Sequence, residues 1–147
     1  MGEIKILIFK LNNEYFATDI MDVERILEIR ETTKVPDAPN FLEGVIKYEE
    51  QVVPVVNLYK KFNLTKFNQH ENEKIIITKN TVGKFGVIVD DVDEVISIKK
   101  ESIDKSESMS TLVSDRYIKG VIRETNKLII LLDLNNVLLE KEQNMVI

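Results

Sequence analysis

Residues 41–58, FLEGVIKYEEQVVPVVNL, lie in register over residues 117–134, YIKGVIRETNKLIILLDL. Gly44 matches Gly120, Val45 matches Val121, Ile46 matches Ile122 and Leu58 matches Leu134, all at an offset of 76 residues (Gly44 to Gly120). Upstream a second register holds at an offset of 69 (Phe16 to Phe85). It sets Ile6-Leu7-Ile8 over Ile75-Ile76-Ile77, Phe16-Ala17 over Phe85-Gly86 and Asp22-Val23 over Asp91-Val92, then Ile26 over Val95 and Ile29 over Ile98. Apolar matches alone would be chance between two Val/Ile-rich segments; the matched Gly, Asp and Phe argue for a duplication. The chain is therefore expected to be a single unit, 1–147. A first repeat of about 4–64 and a second of about 74–140 are joined by a polar linker of about 65–73.

Each half has the same string of elements. A strand (4–11, 74–79) leads through Leu11-Asn12-Asn13 or Asn80-Thr81-Val82-Gly83 into a second strand around Phe16 or Phe85, a hairpin pattern. Ile20, Val23 and Leu27 have a short helical spacing, but Val89, Val92 and Val95 suit a bent strand equally, so this stretch stays open between the two. After polar loops comes a glycine-led hairpin, Gly44–Val56 and Gly120–Leu132. Its second strand is a nearly continuous apolar run, VVPVV or LIILL, as expected for burial on both faces. Pro54 cannot donate to a ladder and predicts an edge strand or a bulge. Asn57 and Asp133 stand where a side-chain acceptor would open a short helix. Many short strands without room for crossover helices predict a mostly β fold of antiparallel barrels.

At 147 residues, 44% hydrophobic and 31% charged, the chain suits one compact folded unit and excludes a large multidomain enzyme. A net charge of −5 argues against a nucleic-acid partner, which needs a basic track. With no Cys there are no disulfides, thiol nucleophiles or thiolate metal sites, in keeping with a reducing cytoplasm. The start MGEIKILIFK predicts neither export nor anchoring, and Ile6 stands where a myristoylation signal requires Ser or Thr. His70, the single histidine, falls in the polar linker with no nucleophile or carboxylate arranged around it. Asp90, Asp91, Asp93 and Glu94 could collect a hard cation, but VDDVDEV interleaves them with valines as a half-buried strand with one wet face would. No phosphate-cradling glycine motif is present. Gly44 and Gly120 are expected to open strands where a Cβ would be costly or φ must be positive. With no reaction centre and no cofactor indicated, protein binding is the natural function class.

Over essentially its full length the chain resembles CheW, the coupling protein of bacterial chemotaxis. The resemblance is carried by EYFATDIMDVERILEI, FLEGVIKYEEQVVPVVNLYKKF, KFGVIVDDVDEVISIKKESI and YIKGVIRETNKLIILLDLNNVL. It implies two interleaved, pseudo-symmetric, five-stranded SH3-like barrels with short helices. It also implies a non-enzymatic adaptor, monomeric when free and without a cofactor. Such an adaptor is cytoplasmic and recruited to membrane receptor arrays without inserting into the bilayer. Its implied partners are the regulatory domain of the histidine kinase CheA and the cytoplasmic tips of methyl-accepting chemoreceptors. Carried onto this sequence, the receptor-facing positions are Val23, Ile26, Glu49, Phe85, Val92 and Val95, and the kinase-facing ones Gly44, Val52 and Gly120. The chain departs from the family in one turn. Members commonly carry Asn-x-Arg-Gly where Lys47-Tyr48-Glu49-Glu50 stands, so an anion replaces a cation and the glycine is lost. The family's usual Asp is here Asn57, which retains capping ability. The altered turn also motivates an alternative reading, a regulatory or ligand-sensing β-barrel domain outside chemotaxis.

Overall fold

The computed structural model describes residues 2–67, 71–105, 115–124 and 126–138. Its ten strands are β1 (Glu3–Leu11), β2 (Glu14–Asp19), β3 (Val23–Glu28), β4 (Leu42–Tyr48), β5 (Gln51–Asn57), β6 (Lys74–Lys79), β7 (Lys84–Val89), β8 (Asp91–Lys99), β9 (Ile118–Glu124) and β10 (Lys127–Leu132). They form two five-stranded sheets, ordered β8-β1-β2-β10-β9 and β3-β6-β7-β5-β4. Exchanging β1–β5 for β6–β10 converts one order into the other. Each sheet takes a hairpin from one half of the chain and three strands from the other, so the halves are interleaved.

The apolar run of β1 is continuous because its two faces enter different cores. Ile6 and Ile8 pack with Ile98, Ile122, Ile129 and Leu131 inside the first sheet. Leu7, Phe9 and Leu11 point the other way, into a core shared by both sheets that includes Phe16, Leu58, Ile76, Phe85, Val87 and Leu132. In β6, Ile75 and Ile77 join Ile46, Tyr48, Val53 and Val55 in the second sheet's own cluster, while Ile76 faces the shared core. Alternation of period 2 thus survives inside an unbroken apolar segment.

The sheets are mainly antiparallel, as expected, with one exception in each. β2 runs parallel to β10 and β5 parallel to β7, one such pair in each sheet. The stretch left open between helix and strand holds both. A 3-10 turn at Ile20–Asp22, capped by Asp19 accepting from the Met21 N–H, leads directly into β3. Pro54 is on neither an edge nor a bulge: β5 lies between β7 and β4. It is tolerated because its partner Val45 spends both backbone groups on Thr33, at 2.9 Å each, which makes Val45–Pro54 a non-hydrogen-bonded pair. On its other side β5 joins β7 only from Val55 onward. The predicted caps are in place. Asn57 accepts from the Lys60 N–H to open α1 (Leu58–Lys61), and Asp133 accepts from the Asn135 N–H to open a 3-10 turn.

Asp90 also departs from its expected wet setting. It is 2% exposed, accepts from the buried Tyr59 hydroxyl, and accepts from the Asn12 N–H at 2.8 Å. Its own N–H donates to the Lys10 carbonyl at 3.0 Å. One carboxylate therefore joins the β1–β2 tip, α1 and the β7–β8 junction. Burial first, and the Asp90 carboxylate second, raise the Tyr59 phenol well above the ordinary tyrosine range.

The unfolded chain releases this proton near pH ~10 and the folded chain holds it, so the stabilisation is full below that pH and is lost as pH rises above it. In Tyr59→Phe, denaturant titration at pH 7 should show a loss of about 1–3 kcal/mol, because a buried carboxylate loses a donor. Between pH 9 and 11 the variant's stability should fall less steeply than the parent's. Parallel pH profiles would show that Tyr59 does not couple to ionisation.

Candidate docking surfaces

The tip of the β4–β5 hairpin is a two-residue turn, with Tyr48 paired to Gln51. Glu49 and Glu50 occupy it at φ 47° and φ 67°. Left-handed backbone at both central residues matches the right-handed twist of the flanking strands, and Asn or Gly normally supplies it. The β1–β2 turn does so with Asn12 and Asn13 (φ 52° and 65°). Two glutamates there carry the steric cost of a Cβ in the left-handed region.

Around the tip lies a charged network. The Tyr48 ring is buried and its hydroxyl donates to Glu24 Oε2 at 2.9 Å, the same oxygen that Lys84 Nζ approaches to 2.9 Å. The Lys84 ammonium, ahead of the Tyr48 hydroxyl, lowers the Glu24 pKa, and Glu24 raises that of Lys84 in return. Glu49 stands farther out, half-exposed, with Arg25 and Lys84 each 3.8 Å away. At that range and exposure the pairing is weak, about 0–1 kcal/mol, so most of the Glu49 charge faces solvent.

Next to this tip Val52 is 64% exposed. Its repeat equivalent, Leu128 on β10, is 50% exposed, and a second equivalent pair, Ile26 on β3 and Val95 on β8, is 39% and 47% exposed. Four outward apolar side chains thus fall at two repeat-related places, one of each kind on either sheet. Leu128 was not among the sequence candidates. Its alignment with Val52 was the available signal.

The other candidates divide by burial. Val23 and Val92 are half-buried against the shared core, at the seam where the two sheets meet. Phe85 is fully buried in that core, so it cannot meet a partner, and Phe85→Ala would cost about 3–5 kcal/mol of fold stability. Gly44 and Gly120 are buried as well. A Cβ on Gly44 would sit 2.6 Å from the Thr33 carbonyl oxygen, and one on Gly120 would lie 3.0 Å from the Asp104 carbonyl oxygen and overlap Ile103. Both glycines admit a crossing segment of the same chain: Thr33 bridges Val45, and Asp104 bridges Val121. Of the kinase-facing set, Val52 alone is exposed.

A CheW-like domain matches residues 5–142. The chain belongs to the CheW-like family. It is similar to the chemotaxis protein CheW of Thermotoga maritima, with 30% identity over 143 residues covering 95% of this chain and 91% of that one. The CheW of Treponema pallidum is 26% identical over 144 residues, covering 95% and 85%. Among solved structures, the crystal structure of the scaffolding protein TtCheW from Thermoanaerobacter tengcongensis aligns with a TM-score of 0.86. Identity there is 32%, over 95% of this chain and 90% of that one.

Within this CheW-like fold the acidic run 90–94 is dispersed. Asp90 is the buried tie, Asp91 accepts from the Val92 N–H, Asp93 lies 3.7 Å from Lys127 and Glu94 is exposed. Among the described residues no three His, Cys, Asp or Glu side chains gather as metal ligands, and no helix is long and apolar enough to cross a membrane. His70 lies outside the described residues.

Because Glu50 adopts φ 67° in a turn that glycine enters without strain, Glu50→Gly should stabilise the protein. The expected gain is about 0.5–1 kcal/mol, or about 2–4 °C in Tm, by thermal unfolding. A fall in Tm would mean that the Glu50 side chain contributes more than its backbone costs.

Proposed function

We propose that this chain is a chemotaxis adaptor that couples the histidine kinase CheA to the cytoplasmic tips of chemoreceptors and is drawn from the cytoplasm into their arrays. The observation that carries the reading is the likeness to the scaffolding protein TtCheW over 95% of the chain. Two features support it. The outward apolar side chains occur on both sheets, as a bridge between two partners requires, and on each sheet they project from strands. On this reading Ile26 and Val95, flanking the seam with Val23 and Val92, meet an apolar receptor helix. Val52 and the Glu49–Glu50 tip form a separate contact.

An isothermal titration against the regulatory domain of the cognate CheA tests the proposal. Binding at tens of micromolar or tighter is expected, and no heat at that concentration overturns it. Val52→Glu, which places a charge where apolar surface is to be buried, should weaken this contact by about tenfold or more with an unchanged circular dichroism spectrum.

Glu49→Arg restores the cation usual in the family and should change affinity for the receptor tip or the kinase in a salt-dependent way. Equal binding of both forms to both partners at low salt would remove the turn from either interface.

A further inference from the structure

The tips of the two exchanged hairpins each border a cleft, and the clefts occupy repeat-equivalent places with different linings. At the β6–β7 tip the lining combines Lys79, Asn80, Asn135 and Asn136 with Val82 and Leu138, and no aromatic ring or carboxylate stands among its described residues. At the β1–β2 tip the cleft, about 400 Å³, is walled by Phe16, Phe62, Leu64 and Phe67, with Asn12 and Glu14 among its polar lining residues. The Asn12 side chain fixes its far wall, donating to the Thr65 carbonyl at 2.8 Å and accepting from the Phe67 N–H at 3.2 Å. That clamp holds Phe67, 74% exposed, beside the opening.

Glu14 is exposed, and among the described residues its carboxylate has no ion-pair partner. Two neighbouring basic groups are engaged elsewhere: Lys10, four residues before Glu14, lies over the Tyr15 ring, and Lys66, between the lining residues Thr65 and Phe67, pairs with Glu73. An open aromatic face beside an unpaired carboxylate is the chemistry that selects a cation on an apolar stem. The ring quadrupole attracts the charge, the apolar wall takes the methylenes and the carboxylate completes the ion pair. We propose that this cleft is a docking pocket for an arginine or lysine side chain presented by a segment of a protein partner. The opposite cleft has Gly83 at the position equivalent to Glu14 and is lined by Lys79 with no carboxylate among its described residues, so it rejects the same group. This assignment does not depend on which kinase or receptor the chain serves.

The test is a titration of the ¹⁵N-labelled full chain at low salt with two short peptides, acetyl-Leu-Arg-Leu-amide and acetyl-Leu-Glu-Leu-amide, followed by amide chemical shifts. The basic peptide should give saturable shifts at Glu14 and from Asn63 to Phe67 with a millimolar dissociation constant, and none at Thr81 or Val82. Phe67→Ala and Glu14→Gln, both at exposed positions, should each weaken it by about two- to fivefold while the β6–β7 amides keep their positions. Four results would overturn the proposal: no saturable shift in the parent chain, equal shifts from the acidic peptide, shifts shared with the opposite cleft, or unchanged affinity in both variants.

Discussion

Everything in this molecule depends on the pairing of β1–β2 with β8, β9 and β10, and of β6–β7 with β3, β4 and β5. Neither half of the chain can saturate its own strands, because the central hairpin of each sheet comes from the other half. The exchange also creates the shared core, since a strand placed centrally in one sheet turns its second face toward the other. Leu7, Phe9 and Phe16 from one hairpin meet Ile76, Phe85 and Val87 from the other there. Sheet completion and burial of that core are therefore one event, consistent with cooperative folding over the whole matched length.

Much of the fold was legible because duplication prints the same element string twice, and the spacing of Gly, Asp and Phe survives where apolar identity drifts. The hairpins, both caps and the doubly buried runs follow from local chemistry. Partner choice between strands does not. A parallel pair such as β5 with β7 joins residues about 30 positions apart, and nothing in either segment marks direction. Pro54 misled for a related reason: its missing N–H matters only if the pair is hydrogen-bonded, and that was decided by Thr33, on a loop with no strand pattern. Asp90 misled because period-2 reasoning assigns a face and is blind to a tyrosine 31 residues earlier that reaches the same spot. The candidate site was less legible still. Phe85 and Val52 are both apolar strand residues, and only the packing of the second sheet decides that one is core and the other surface.

In the Glu49–Glu50 turn local preference and backbone disagree. A natural sequence tolerates a left-handed non-glycine pair when the surrounding structure over-determines it, and here the β4–β5 register and the Glu24–Tyr48–Lys84 network do so. Glu24 takes most of the Lys84 charge at 2.9 Å, leaving Glu49 only distant cations. The tip consequently presents net negative charge on a rigid mount. A partner suited to an arginine at this turn would meet repulsion.

That asymmetry bears on how a duplicated scaffold can hold two different partners. Shape is inherited. Val52 and Leu128, or Ile26 and Val95, project from equivalent strands because the two sheets have one strand order. If the surfaces were also alike in charge, either partner could occupy either end. Charge diverges instead: Glu49 and Glu50 mark one tip, whereas the equivalent β9–β10 tip carries Asn126 followed by Lys127, whose ammonium lies over Tyr15. On the proposed adaptor reading, apolar burial would supply affinity at both ends and the charges would choose between partners, because a like charge brought into an interface costs more than a rim ion pair returns.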